Sequence, residues 1–132
     1  MRRVAVTGLG AITPVGNDAR STWNAAVAGE SGIDWIRAFD ADGLPVRIAA
    51  EVKDFDPAGL AHPKELRRLD RNVVLALGAA KEALADSRLN GFDPHRVGIV
   101  FGSAIGGFIG IMEQAETFRE RGADRGRFRP AP

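Results

Sequence analysis

The sequence predicts an α/β domain that is only partly present in the chain. Three observations carry this. Residues 3–7 and 97–103 are short apolar stretches that read as strands, the second apolar and β-branched throughout and so expected to be buried on both faces. Between them, Leu66, Leu69, Val73, Leu77, Ala80 and Leu84 recur at steps of three and four, the period of an amphipathic helix. Two strands cannot carry helical layers on both faces, so the sheet needs further strands that these residues do not provide.

Each element has its own local signal. After the strand at 3–7, Asn17 or Asp18 can cap a helix by accepting a free amide hydrogen. That helix runs to about Ala28, with Trp23, Ala26 and Val27 on one face and Gly29 where a left-handed cap is wanted. The stretch "SGIDWIRAFDADGLP" is dense in Gly, Asp and Ser and reads as loop, anchored by Trp35, Ile36 and Phe39. Val46, Ile48, Ala50 and Val52 then alternate with Arg47, Ala49 and Glu51, a strand with one polar face. The long helix begins near His62 and Pro63, since proline is favoured where its missing donor is not needed, and continues to about Ser87. "NGFDPHR" is a turn. A last helix is expected from about Gly107 to Arg121. The tail, residues 122–132, is basic and rich in Gly and Pro, and is expected to be ordered only by neighbours.

Bulk properties narrow the class. A chain of 132 residues suits one modest domain, with no internal repeat and no linker. Apolar residues at 45% and charged residues at 27% match a globular, water-soluble balance. A net charge of +1 gives no general attraction to nucleic acid or to an anionic membrane. The apolar runs are too short to span a bilayer, and Gly8, Gly10 and Pro14 break up the run behind the N-terminal arginines, so no signal peptide is read there. Cysteine is absent, which removes disulfides, thiolate metal sites and a cysteine nucleophile from these residues and agrees with a cytoplasmic location.

The opening segment "VAVTGLGAITPVG" raises the question of a dinucleotide loop. Such a fingerprint puts a third small residue in the first turn of a helix, but here Thr13 holds that place and Pro14 disfavours helical geometry around it. Gly8 and Gly10 therefore read as a tight strand exit, and an NAD-binding role is the weaker reading. Ser103 lies between strand and helix, but "GSAIG" lacks the glycine spacing of a nucleophile elbow. His62 and His95 lie in proline-flanked loops without a partner at useful spacing. Asp54 and Asp56 read as turn residues beside Pro57, and "RRLDR" at 67–71 as a solvated helix face. No catalytic constellation and no metal site follow from the residues alone.

The order of motifs is more specific than any one of them. "RRVAVTGLGAITPVGN", "STWNAAVAGESGI", "FDADGLPVRIAAEVKDFDP", "KELRRLDRNVVLALGAAKEALADS" and "RVGIVFGSAIGGF" together resemble the N-terminal part of the β-ketoacyl-acyl-carrier-protein synthases, most of all the elongating type II enzymes of fatty-acid synthesis. The resemblance implies a layered αβαβα, thiolase-like fold, of which the chain holds the N-terminal portion. It implies a homodimeric acyltransferase that moves an acyl group from acyl-carrier protein to a cysteine and condenses it with malonyl-acyl-carrier protein, without a cofactor. The family's cysteine, two histidines and lysine lie beyond the part matched here, so no catalytic role passes to His62 or His95, and the chain by itself is expected to be inactive. The isoleucine of the family's "GSxIGG" segment borders the acyl pocket. Ile105 matches it, Gly106 and Gly107 fit the close turn, and Phe108 neighbours the same pocket; as residues alone, Ile105 and Phe108 also suit a strand–helix core. The ending "RPAP" departs from the family's usual serine-proline-phenylalanine segment. A polyketide ketosynthase and a non-catalytic binding or assembly module with the same half-fold stay open beside the fatty-acid reading.

Overall fold

The computed structural model describes residues 3–122. Its elements in order are helix α1 (Ala19–Ala28), strands β1 (Ile33–Trp35) and β2 (Ile48–Ala50), helices α2 (Pro63–Leu66) and α3 (Arg71–Ser87), a 3₁₀ turn (Pro94–Arg96), and helix α4 (Phe108–Arg121). The tail from residue 123 onwards lies outside the described residues.

The ends of α1 follow from the local chemistry. Asp18 is extended and its Oδ1 accepts from the Ser21 amide at 2.7 Å. Gly29 takes the left-handed conformation, φ 71°, and its amide returns to the last carbonyls of the helix. Asn17 turns elsewhere and donates from Nδ2 to the Lys53 carbonyl at 2.8 Å, which ties this cap to the end of the β2 segment. The covered face of α1 is not the expected one. Ala25 is the buried residue, whereas Trp23 and Val27 are 69% and 70% exposed.

Helix α3 is the platform for the N-terminal segment. Gly8 and Gly10 lie so close to it that a Cβ on either would collide with the backbone of Ala79, Ala83 or Ser87. Neither has a positive φ, so these glycines serve close approach, and the expected tight strand exit is not what they form. Two acidic side chains on α3 then bind the backbone that crosses it. Asp86 Oδ2 accepts from the Leu9 amide at 2.9 Å. Glu82 accepts from Ala11 on Oε2 at 2.9 Å and from Ala19 on Oε1 at 2.8 Å. Ala19 opens α1, so its amide has no partner within the helix and a negative charge at that end is favourable. On the same helix, Gly78 is buried under Phe55 and Ile12.

The expected continuous helix from residue 63 to 87 is two helices. His62 and Glu65 form a reciprocal cap at the start of α2. Beyond Arg67, the C-terminal cap of α2, the chain continues as a turn to Leu69, and α3 restarts at Asp70, which is extended, ψ 152°, as an N-terminal cap residue must be. "RRLDR" is therefore the break itself, and Arg71 donates to the Val52 carbonyl at 2.8 Å.

The sheet differs most from expectation. β1 and β2 pair antiparallel with Ile33 opposite Ala50, Asp34 opposite Ala49 and Trp35 opposite Ile48. β1 thus lies inside the stretch read as loop, and the strand read at 46–52 shortens to three residues whose most covered member is Ala49, on the face expected to be polar. Of the expected anchors, Trp35 and Phe39 are exposed and Ile36 half-buried. Residues 3–7 and 97–103 form no strand among the described residues. Val4 is 93% and Ile99 92% exposed, and Val100 is fully so. A strand exists only where a neighbour takes its amide and carbonyl groups, and no described strand pairs with these two segments.

Charge adds local order to this scaffold. The Ser21 backbone amide, first, holds the Asp18 carboxyl below its ordinary value of 3.8. Asp34 is lowered likewise, first by its bond to Lys53, which lies 2.9 Å away. Both are solvated, so each contribution is small. No helix among the described residues is long and apolar enough to cross a membrane.

Two outcomes follow for stability. Glu82→Ala strands two backbone amides at once and is expected to cost about 1–3 kcal/mol in urea unfolding. Glu82→Gln can serve one of them and should fall between the two. Asp18 is lowered on folding, so its contribution is complete above 3.8 and is lost as the pH falls through the lowered value. Asp18→Asn keeps a capping oxygen and drops the charge. By circular dichroism it should unfold more easily than the parent at about pH 6 and equally at about pH 2.

Candidate functional site

The sequence places its candidate site at the entry to α4, and the structure shows how that entry is built. The chain leaves the unpaired stretch at 97–103, bends at Ala104 and Ile105, and turns at Gly106 and Gly107 into the helix. Gly107 is the N-terminal cap with φ 70° and ψ 21°, a left-handed conformation in which a Cβ is strained. Ile105 and Phe108 flank this turn and are 67% and 55% exposed. Neither is packed into a junction among the described residues. Ile111 and Met112 extend the same uncovered apolar surface along α4, three and four residues on from Phe108.

The turn rests against the start of α3. Asp70 Oδ2 would lie 2.8 Å from a Cβ on Gly107, and Asp70 Oδ1 would lie 3.2 Å from a Cβ on Gly110. Asn72 Nδ2 would lie 3.1 Å from a Cβ on Gly106. Gly106, Gly107 and Gly110 therefore make room for two polar side chains at the start of a helix some 35 residues earlier. Neither Asp70 nor Asn72 figures among the sequence candidates. The signal available was Asp70 itself, a preferred capping residue in the middle of an apolar helical pattern.

The other candidates carry no chemistry here. His62 caps α2, its Nδ1 accepting from the Lys64 amide at 3.3 Å. The His95 amide donates to Asp93 in the 3₁₀ turn. Ser103 is exposed and its hydroxyl makes no hydrogen bond among the described residues, and Asp56 accepts from the Ala58 amide, as a turn residue does. A hollow of about 400 Å³ lies between α1 and α3, lined by Leu9, Arg20, Trp23 and Glu82 among others. Its carboxylates are already engaged by the amides of Leu9, Ala11 and Ala19, so it is a seam between elements. No helix N-terminus faces outward behind Gly10 to receive a pyrophosphate, because the glycines there face α3.

The family model for the β-ketoacyl synthase N-terminal domain matches residues 1–130. The chain is 46% identical to 3-oxoacyl-[acyl-carrier-protein] synthase 2 of Coxiella burnetii over 123 residues, covering 92% of this chain and 30% of that protein. It is 39% identical to the protein of the same name from Staphylococcus aureus, covering 99% of the chain and 31% of that protein. Among solved structures, the ishigamide ketosynthase/chain length factor matches with a TM-score of 0.62 at 35% identity, over 67% of this chain and 22% of the other. The chain thus spans about a third of the length of the curated relatives it matches. In sequence and in fold, this chain belongs to the β-ketoacyl synthase N-terminal domain family and represents the N-terminal portion of its thiolase-like fold.

Proposed function

We propose that the chain is the N-terminal part of a 3-oxoacyl-[acyl-carrier-protein] synthase that elongates acyl chains in fatty-acid synthesis. The observation that carries this reading is the match over 92–99% of the chain to relatives that share that name, from Coxiella burnetii, Staphylococcus aureus and Synechocystis. In this chemistry an acyl group passes from its carrier to a cysteine thiolate. Malonyl-carrier protein then loses carbon dioxide, and the carbanion so formed attacks the acyl thioester and expels the thiolate. These 132 residues hold no cysteine, so the nucleophile comes from outside them. Their part is to shape the pocket. Ile105, Gly106, Gly107 and Phe108 form a turn that exposes apolar side chains, as the wall of an acyl site requires. Acyl-carrier protein and malonyl-acyl-carrier protein are the partners of the whole enzyme, which works as a homodimer in the cytoplasm. A second reading, the ketosynthase of a polyketide pathway, draws on the similarity to the ishigamide ketosynthase/chain length factor.

Two outcomes test this. The purified chain should show no condensation above a buffer blank in a radiolabelled assay, because it offers no nucleophile with a base beside it. The pocket role is tested in an enzyme in which this chain replaces the matching N-terminal part of the Coxiella burnetii relative. There Ile105→Phe is expected to cost about 1–3 kcal/mol on long acyl primers, a roughly 5- to 150-fold loss, and to spare short ones that end before the obstruction. An unchanged ratio of long- to short-primer rates with a lowered melting temperature would place Ile105 in the core instead.

A further inference from the structure

We infer that Asp70 is a positioning residue for the pocket wall: it holds the turn at Gly106 and Gly107 and thereby sets where Ile105 and Phe108 stand. This rests on the reading of Ile105 as an acyl-pocket residue. Three observations lead to it. Asp70 occupies the N-terminal cap position of α3, yet its side chain makes no capping bond to that helix. The carboxylate lies instead against Gly107 and Gly110, at the first turn of α4, where a negative charge is favoured by the free amides. Gly107, in turn, caps α4 without a side chain of its own. Asp70 thus has the backbone of one helix's cap while its carboxylate packs against the start of another, a contact of shape with no hydrogen bond to that helix. Gly107 and Gly110 are the half-buried residues of a turn that is otherwise exposed, so the contact with Asp70 is where the turn is covered. Asn72 beside Gly106 widens the same seat.

The geometry also says what Asp70 does to selectivity. Ile105 sits two residues before the left-handed Gly107 and is largely uncovered among the described residues. Its position is therefore inherited from the turn. With the carboxylate gone, the turn gains room on the α3 side, and Ile105 can give way to a long acyl chain.

The test uses the same chimeric enzyme and reads the ratio of long- to short-primer rates. Asp70→Ala should raise that ratio by about 2- to 10-fold and reduce the long-primer penalty of Ile105→Phe when the two are combined, as coupled neighbours do. Asp70→Asn keeps the side chain's shape and should restore the parent ratio. Gly110→Ala presses on the same carboxylate while leaving the α3 cap intact. It should shift the ratio in the parent and lose that effect beside Asp70→Ala. A merely structural Asp70 would lower both rates together and leave the ratio alone. If Ile105→Phe changes the ratio and neither Asp70→Ala nor Gly110→Ala does, the inference is overturned and the pocket reading stands. If Ile105→Phe changes nothing either, both fall.

Discussion

One carboxylate organises the described part of the chain. Glu82 binds the amides of Ala11 and Ala19 through its two oxygens, and so joins the crossing segment and the start of α1 to the middle of α3. The arrangement needs the backbone at residues 8–10 to lie flush on α3, which Gly8 and Gly10 allow. Asp86 extends the same clasp by one more turn. Apolar burial is a minor partner: Ala25 is the buried hydrophobic residue among those described, at 5% exposure. Hydrogen bonds to charged acceptors, worth more than neutral ones, carry the order that a core would otherwise supply.

The weakness of the core has a direct cause. Among the described residues the most apolar stretch, residues 97–101, is exposed, Ile99 and Val100 almost wholly, and so are Val4 and Val6. Neither segment pairs with a strand among the described residues. What remains ordered is the set of helices and the short hairpin β1–β2. The entry to α4 follows the same logic. Its polar side is met by Asp70 and Asn72, while its apolar side, Ile105 and Phe108, stands open.

Helix ends were legible in the sequence because they depend on neighbours along the chain. Asp18 and Gly29 mark α1, and Phe108–Arg121 begins where the glycines of "GSAIGG" place it. The break before α3 was masked by the apolar period, which runs through Leu66, Leu69 and Val73 without interruption; the capping residue Asp70 overrode it. The pairing of β1 was hidden because Ile33–Trp35 sits among turn-forming residues, and short strands are decided by partners across the sheet. The role of Glu82 was not legible in the sequence, since its partners, Ala11 and Ala19, are more than 60 positions away. For the candidate site, the turn itself could be read from its glycines, but not its support from α3.

Residue-resolved amide hydrogen exchange on the chain tests the central claim most directly: that the clasp on α3 is ordered while the apolar segment at 97–101 lacks partners. The account predicts that the amides of Leu9, Ala11 and Ala19 are protected together with those of α3, and that residues 97–101 exchange at the rate of an unfolded chain. Strong protection across 97–101, with Leu9 and Ala11 exchanging freely, would contradict it.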